Sequence, residues 1–97
     1  MDKTQLLPLL KLDLTISTAA YDQLLNGLID RAIKAIEREG ITLGNDLVAD
    51  QMIVVQYAAY LWRKRKGEDT GMPRSLRYEL NNLWVAQHAT EEGWHGS

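Results

Sequence analysis

The most apolar stretch of this 97-residue chain is Met52-Ile53-Val54-Val55-Gln56-Tyr57-Ala58-Ala59-Tyr60-Leu61-Trp62, in which only Gln56 is polar. A membrane-spanning helix needs about 20 apolar residues, so this stretch is too short to be one. Asn45 or Asp46 can begin a helix before it and Gly67 can end the helix, which predicts a helix over residues 46 to 66. Its middle is apolar almost all round, as in helices buried on several sides. Because a chain of this length forms one small core, we expect part of this surface to meet another subunit.

Two helices are predicted before this one. Residues 4 to 11 are rich in leucine, and Thr4 can cap the helix while Pro8 falls about where its first turn ends. Residues 18 to 39 follow, with Ser17 or Thr18 as the cap and Gly40 as the left-handed stop. Their apolar side chains recur every three or four residues, at Tyr21, Leu24, Leu25, Leu28, Ala32, Ile33 and Ile36. Asp30 and Lys34 are four residues apart, which predicts an ion pair along the helix.

A fourth helix is predicted from Pro73 to about His88. Proline suits a first helical position, and Leu76, Leu80, Leu83 and Trp84 give the helix an inward stripe. Both Trp62 and Trp84 are expected in the core. The sequence therefore predicts an all-α fold, a small bundle of about four helices: a short N-terminal helix, two long helices and a C-terminal helix. We expect a single domain over residues 1–88 and a flexible C-terminal tail over residues 89–97.

Composition narrows the class of protein. Apolar residues make up 45% and charged residues 25% of the chain, as in an ordinary soluble domain. The absence of cysteine excludes disulfides, thiolate zinc sites and cysteine nucleophiles. The first residues do not resemble a targeting signal, so we expect a soluble protein made in the cytoplasm and no membrane partner.

The chain shows no pattern that indicates catalysis. It has neither a phosphate-binding loop nor a Gly-x-Ser-x-Gly turn. Its only histidines are His88 and His95, which we interpret as solvated side chains rather than metal ligands. The sequence therefore predicts no enzyme, no catalytic residue, no metal and no cofactor.

The net charge of −2 conceals a basic cluster around the loop at Gly67. The cluster consists of Arg63, Lys64, Arg65, Lys66, Arg74 and Arg77, and with Glu68 and Asp69 the segment carries +4. One interpretation is contact with DNA phosphates or with an acidic partner. The other is that the cations only offset the negative end of the third helix and keep it in solution.

The tail holds the second candidate partner-binding residues, Trp94 and His95. Either the indole of Trp94 packs back on its own domain, or it anchors a partner, since tryptophan is common among interface hot spots. The second alternative describes a general helical adaptor with a binding motif in its tail.

The order of these segments resembles the small head–tail connector, or adaptor, proteins of tailed bacteriophages and prophages. The likeness covers about residues 3 to 86. It includes the leucine-rich opening helix, the segment Lys11-Leu12-Asp13-Leu14, which the resemblance implies is extended, and the run Tyr21-Asp22-Gln23-Leu24-Leu25. It continues with Ala58-Ala59-Tyr60-Leu61-Trp62-Arg63, a glycine-rich acidic loop, and Met72-Pro73-Arg74-Ser75-Leu76 before Leu80-Asn81.

The resemblance implies a structural protein of the virion neck. Such a subunit would form a ring of about a dozen copies beneath the portal protein, around the DNA channel, and would present a docking surface to the next neck or tail protein. The family contacts the portal through a C-terminal segment, which maps here only loosely onto residues 88 to 97. A small helical DNA-binding protein that uses residues 63–77 is the alternative.

Overall fold

A computed structural model of the protein describes residues 3–44, 47–67 and 71–89. Its elements are a 3-10 turn at Lys3–Gln5, α1 at Leu6–Leu14, a second 3-10 turn at Ala19–Tyr21, α2 at Asp22–Arg38, α3 at Leu47–Arg65 and α4 at Arg74–His88. The described residues contain no strand, and the all-α class and the four helices of the prediction are confirmed.

The third helix is the centre of the fold, and the other three pack around it. α1 runs parallel to α3, because the side chains of Gln5 and Gln51 bond at 3.0 Å near their starts and Asp13 approaches Arg63 at 3.9 Å near their ends. α2 runs antiparallel to α3, since the ring of Tyr21, just before α2, meets Trp62 edge to face at 5.5 Å. The central position follows from the apolar stretch, which has no polar side to turn to water.

The monomer itself buries most of the apolar stretch of α3, and the surface that it leaves for another subunit lies mainly near the start of the stretch. Its side chains at positions 53, 54, 55, 57, 58, 59 and 62 are all buried within the monomer. At the start of the stretch Met52 is 52% exposed, and one turn earlier Val48 is 70% exposed. Three neighbouring helices suffice to wrap the middle of α3, because two small residues there, Ala58 and Ala59, let them approach closely.

The expectation of an extended segment at residues 11 to 14 is wrong. These residues belong to α1, which continues to Leu14 and ends where Thr15 adopts φ 57°. The reason is packing, because Leu10 is fully buried and Leu14, one turn later on the same side, packs against the core. Lys11 then donates to the Asp22 carboxylate at 2.7 Å, which joins the end of α1 to the start of α2.

Asp30 does not pair with Lys34 as the spacing predicts. Its carboxylate instead pairs with the ammonium group of Lys3 at 2.7 Å, on the side of α2 that faces the start of α1. A tertiary partner thus replaces the helical one, and an exposed pair along a helix contributes only about 0.3–0.5 kcal/mol.

The predicted stops of α2 and α3 are confirmed, and the predicted cap at Thr18 forms on the 3-10 turn that leads into α2 rather than on α2 itself. The predicted cap of α3, Asn45 or Asp46, lies outside the described residues. Gly40 and Gly67 have φ values of 93° and 82°, the left-handed conformation that ends a helix. Thr18 accepts a hydrogen bond from the backbone amide of Ala20 at 3.2 Å. The predicted cap of α1, Thr4, lies inside the 3-10 turn before that helix, and the residue that precedes α1 is Gln5.

The fourth helix buries only part of its predicted stripe. Leu76 and Leu80 are buried and Leu83 is packed against the core, whereas Trp84 is 39% exposed and not a core residue. Trp84 lies about 80° around the helix from Leu76, so it reaches the edge of the α3 contact rather than its centre. None of the helices in the described ranges has the length and apolar character needed to cross a membrane.

Candidate functional site

The end of α4 is held against the loop that follows α2 by polar contacts. The side-chain amide of Gln87 accepts from the Thr42 amide at 2.7 Å and donates to the Thr42 carbonyl at 2.8 Å. The Nε2 atom of His88 lies 2.8 Å from the Gly40 carbonyl oxygen, and its ring stacks on Trp84 with centroids 4.2 Å apart. His88 is therefore a positioned, half-buried side chain rather than the solvated one that the sequence predicts.

A second polar contact holds the first half of α4. The guanidinium of Arg77 donates two hydrogen bonds to the Glu39 carboxylate, one of them at 3.3 Å, and this bonding raises the pKa of Arg77 above its ordinary value. Tyr57 lies beside the pair. Burial, and after it the negative charge of Glu39, raises the pKa of the Tyr57 hydroxyl. These groups join the end of α2 to α4, and their arrangement is that of a structural contact.

The predicted basic cluster is divided between several directions. Arg77 turns to Glu39 at the end of α2, while Arg63 turns to Asp13 at the end of α1, at 3.9 Å. Arg65 and Arg74 are exposed. The six cations are close in sequence but do not form one surface, because their side chains extend from α3 and α4 toward different parts of the fold.

Two lysines of the cluster lie over aromatic rings of α3. The ammonium group of Lys64 is 5.8 Å from the centre of the Tyr60 ring, and that of Lys66 is 5.4 Å from the centre of the Trp62 ring. Both side chains are exposed, and at exposed sites such contacts contribute about 0.5–1 kcal/mol. They remain available to an anion in the solvent.

A groove runs between α3 and α4, and α1 borders it only at Asp13. It consists of two adjoining cavities of about 390 and 480 Å³ that share Met52, Gln56 and Glu79. Asp13 and Arg63 border it at one end, and Leu83 borders it at the other. The half of the groove near Leu83 is mainly apolar, and the half near Asp13 and Arg63 is more polar.

The outer side of α4 is a convex apolar surface. Tyr78 and Val85 are two turns apart on this side and are 68% and 43% exposed. Arg74, one turn before Tyr78, is exposed at the same side. We call this surface the α4 ridge. Elsewhere, on α1, Leu9 and Leu12 are also exposed apolar side chains.

A basic cavity between α2 and α3 is the surface that the sequence analysis does not find. Arg31, Lys34 and Arg38 of α2 border a cavity of about 260 Å³, which is also lined by Tyr57 and Leu61 of α3. The signal for it is present in the sequence, since the three cations have the i, i+3, i+7 spacing of one helix side. In the sequence this basic pattern is hard to see because acidic residues of α2 alternate with it. In the structure two of those acids, Asp22 and Asp30, pair with Lys11 and Lys3 instead.

Asp50 is the buried polar residue of the described core, with 1% of its surface exposed. Its Oδ2 atom accepts a hydrogen bond from the backbone amide of Gly44, which holds the loop before α3 against the first turn of that helix. A carboxylate in the first turn also favours the positive end of the helix. Within residues 3–44, 47–67 and 71–89, acidic residues and His88 form no group of three or more that could hold a metal ion.

Trp94 and His95 lie outside the described residues, as does most of the predicted tail. Comparison of the chain with protein-family models, with curated proteins and with solved structures gives no match.

Proposed function

We propose that this protein is a structural subunit of the virion neck, a head–tail connector of a tailed bacteriophage or prophage. In this role about a dozen copies form a ring beneath the portal, around the channel that DNA passes through, and the ring joins the capsid to the next neck or tail protein. The resemblance over residues 3 to 86 supports the proposal, and so does the confirmed all-α bundle. The role needs no catalytic residue, cofactor or membrane.

The observation that carries the proposal is the pair of unlike apolar surfaces, the concave groove on α3 and the convex α4 ridge. A ring is built from head-to-tail contacts, which need two different surfaces on each subunit. The groove offers Met52 and the ridge offers Tyr78, each more than half exposed in the monomer. A helix that lays an apolar side into an apolar groove is a recurrent mode of recognition.

Charge supports the same pairing. Glu79 lies in the groove, whereas Arg74 lies on the ridge, and Asp13 at the groove border is already paired with Arg63. When the ridge of one copy enters the groove of the next, Glu79 is the carboxylate that Arg74 can meet. The apolar contact supplies most of the affinity, since burial of one large apolar side chain is worth about 1.5–3 kcal/mol.

The test uses two variants that each damage one surface, Met52→Glu in the groove and Tyr78→Glu on the ridge. Gln23→Glu, at an exposed position of α2, introduces the same charge change and is the matched control. Native mass spectrometry and negative-stain images would be recorded for each protein, alone and with a portal ring of the same phage. We expect rings from the wild type and from Gln23→Glu, and monomers from each surface variant.

Mixing the two surface variants sharpens the test. Each keeps one intact surface, so a mixture should form dimers through the intact groove of one and the intact ridge of the other, without closing a ring. A wild-type protein that stays monomeric with and without the portal contradicts the proposal. Rings that survive both substitutions would show that other surfaces form the contact.

A further inference from the structure

The basic cavity on α2 presents three cations that the described structure leaves without acidic partners. Arg31, Lys34 and Arg38 are all exposed, and none of them takes part in the ion pairs between described residues. Their spacing places them on one side of the helix over about 10 Å of its length. Each guanidinium or ammonium group is therefore free to meet an anion.

Two of the carboxylates of α2 point away from this side. Asp22 and Asp30 face α1, where they pair with Lys11 and Lys3 at 2.7 Å. The remaining acid, Glu37, is exposed three residues after Lys34, so it lies about 60° around the helix from Lys34 and borders this side. A helix with equal numbers of acidic and basic residues thus has a side on which cations predominate.

The last turns of α3 extend the positive side. Arg65 follows Leu61 by four residues and Lys64 follows Tyr57 by seven, so both share the side of α3 that lines the cavity. Because α2 and α3 are antiparallel, these two cations continue the line beyond Arg31. Gly27 lies one turn before Arg31, and no other group crowds the space that a side chain would take there.

We propose that this surface, Arg31, Lys34 and Arg38 with Lys64 and Arg65, binds the phosphate backbone of duplex DNA. A line of cations suits a regular row of phosphates, and long flexible side chains can each reach a phosphate oxygen. Contacts to phosphates carry no information about the bases, so we expect binding that is independent of base sequence. The proposal applies to the monomer and does not depend on ring formation.

The strength of binding should depend steeply on salt, because each phosphate contact releases a counterion. Three to five contacts predict that the logarithm of the binding constant falls against the logarithm of the salt concentration with a slope of about −3 to −4.5. The affinity should therefore be measurable at about 50 mM salt and much weaker at about 200 mM.

The experiment is a fluorescence-anisotropy titration of a short labelled duplex with the full chain. The triple variant R31Q/K34Q/R38Q removes the proposed surface on α2. The matched control, R63Q/K66Q/R74Q, removes the same number of charges from the basic cluster of the sequence. We expect the α2 variant to lose at least about tenfold in affinity at low salt and to have a slope smaller by about 3. The control should remain within about threefold of the wild type.

Three outcomes overturn the proposal. One is a wild-type protein that binds no duplex at low salt, and another is a control variant that loses more affinity than the α2 variant. The third is binding of a labelled acidic peptide in the absence of DNA binding, which identifies the surface as a protein-docking site. Amide chemical shifts of the wild type provide a test without substitutions, since the duplex should perturb residues 27–38 and 61–65 more than α4.

Discussion

α3 and α4 are both partly apolar, but they are held in the fold in different ways. α3 is surrounded by three helices and attached through apolar side chains such as Val54, which is fully buried. α4 packs on α3 through Leu76 and Leu80, and polar contacts join its other side to residues 39–42. Position in the bundle, more than apolar content, therefore decides how much of a helix stays exposed to a partner.

The largest expected difference between the two helices is in their response to an introduced charge, measured as the free energy of unfolding. Val54→Asp places a carboxylate in the core of α3, which costs more than about 4 kcal/mol and approaches the whole stability of a small domain. Val85→Asp places it on the exposed α4 ridge and should change the free energy of unfolding by less than about 1 kcal/mol. Circular dichroism during urea unfolding measures both. Equal losses would show that α4 is as enclosed as α3.

A pair of glycine substitutions tests the polar attachment of α4. In Gly40→Ala the new methyl group would lie 3.1 Å from Nε1 of Trp84, at a residue with φ 93°. We expect a loss of about 1–2 kcal/mol in the free energy of unfolding, because an L side chain is strained there and the Trp84 ring must shift.

The control is Gly27→Ala in the exposed middle of α2, where the space around the glycine is open. Alanine is the better helix former by about 1 kcal/mol, so this variant should be more stable than the wild type. Opposite signs for the two variants, measured in the same unfolding titration, confirm that α4 packs closely over the turn at Gly40. A stable Gly40→Ala protein contradicts that packing.

The smallest expected effect concerns Tyr57, which lies on the α2 side of α3 beside the ion pair of Arg77 and Glu39. Its pKa is raised above the ordinary value of 10.0 by burial and then by Glu39. The neutral hydroxyl is favoured in the folded state, so its contribution to stability is complete below about pH 10 and is lost as the pH rises through the raised value.

Unfolding free energies measured on both sides of pH 10 provide the test. We expect a fall above pH 10 in the wild type that is smaller in Tyr57→Phe, which has no hydroxyl to ionise. Identical pH profiles for the two proteins would show that burial and Glu39 do not act on this group. A difference between the profiles would show that Tyr57 is enclosed where α2, α3 and α4 meet.

The sequence predicts the helices well because the signals are local. The left-handed glycines end α2 and α3 where the spacing indicates, and Thr18 caps the 3-10 turn that leads into α2. Within the apolar stripe of α2 the prediction misses Ile29, which is fully buried. It lies four residues after Leu25 and three before Ala32, inside the predicted stripe, so the same spacing already places it on the buried side.

The candidate surfaces are predicted less well because they depend on distant partners. The basic cluster of residues 63–77 is defined only by nearness in sequence. In the folded chain Arg77 bonds instead to Glu39, which is 38 residues earlier. Lys34 lies outside the cluster but joins the basic cavity once Asp30 turns to Lys3. The net charge of a surface therefore depends on the cations that line it and equally on whether nearby carboxylates pair with residues elsewhere.

Local patterns along the chain are enough to predict the class of fold, the ends of the helices and most of the core, because a 3.6-residue period and the conformations open to glycine act within a few residues. Which surfaces stay exposed depends instead on how the helices pack. Their packing wraps the apolar middle of α3, leaves the α4 ridge uncovered, and joins Gln87 to Thr42 across 45 residues. Such contacts depend on how close the folded helices bring residues that are far apart in the chain, and no local pattern fixes that distance.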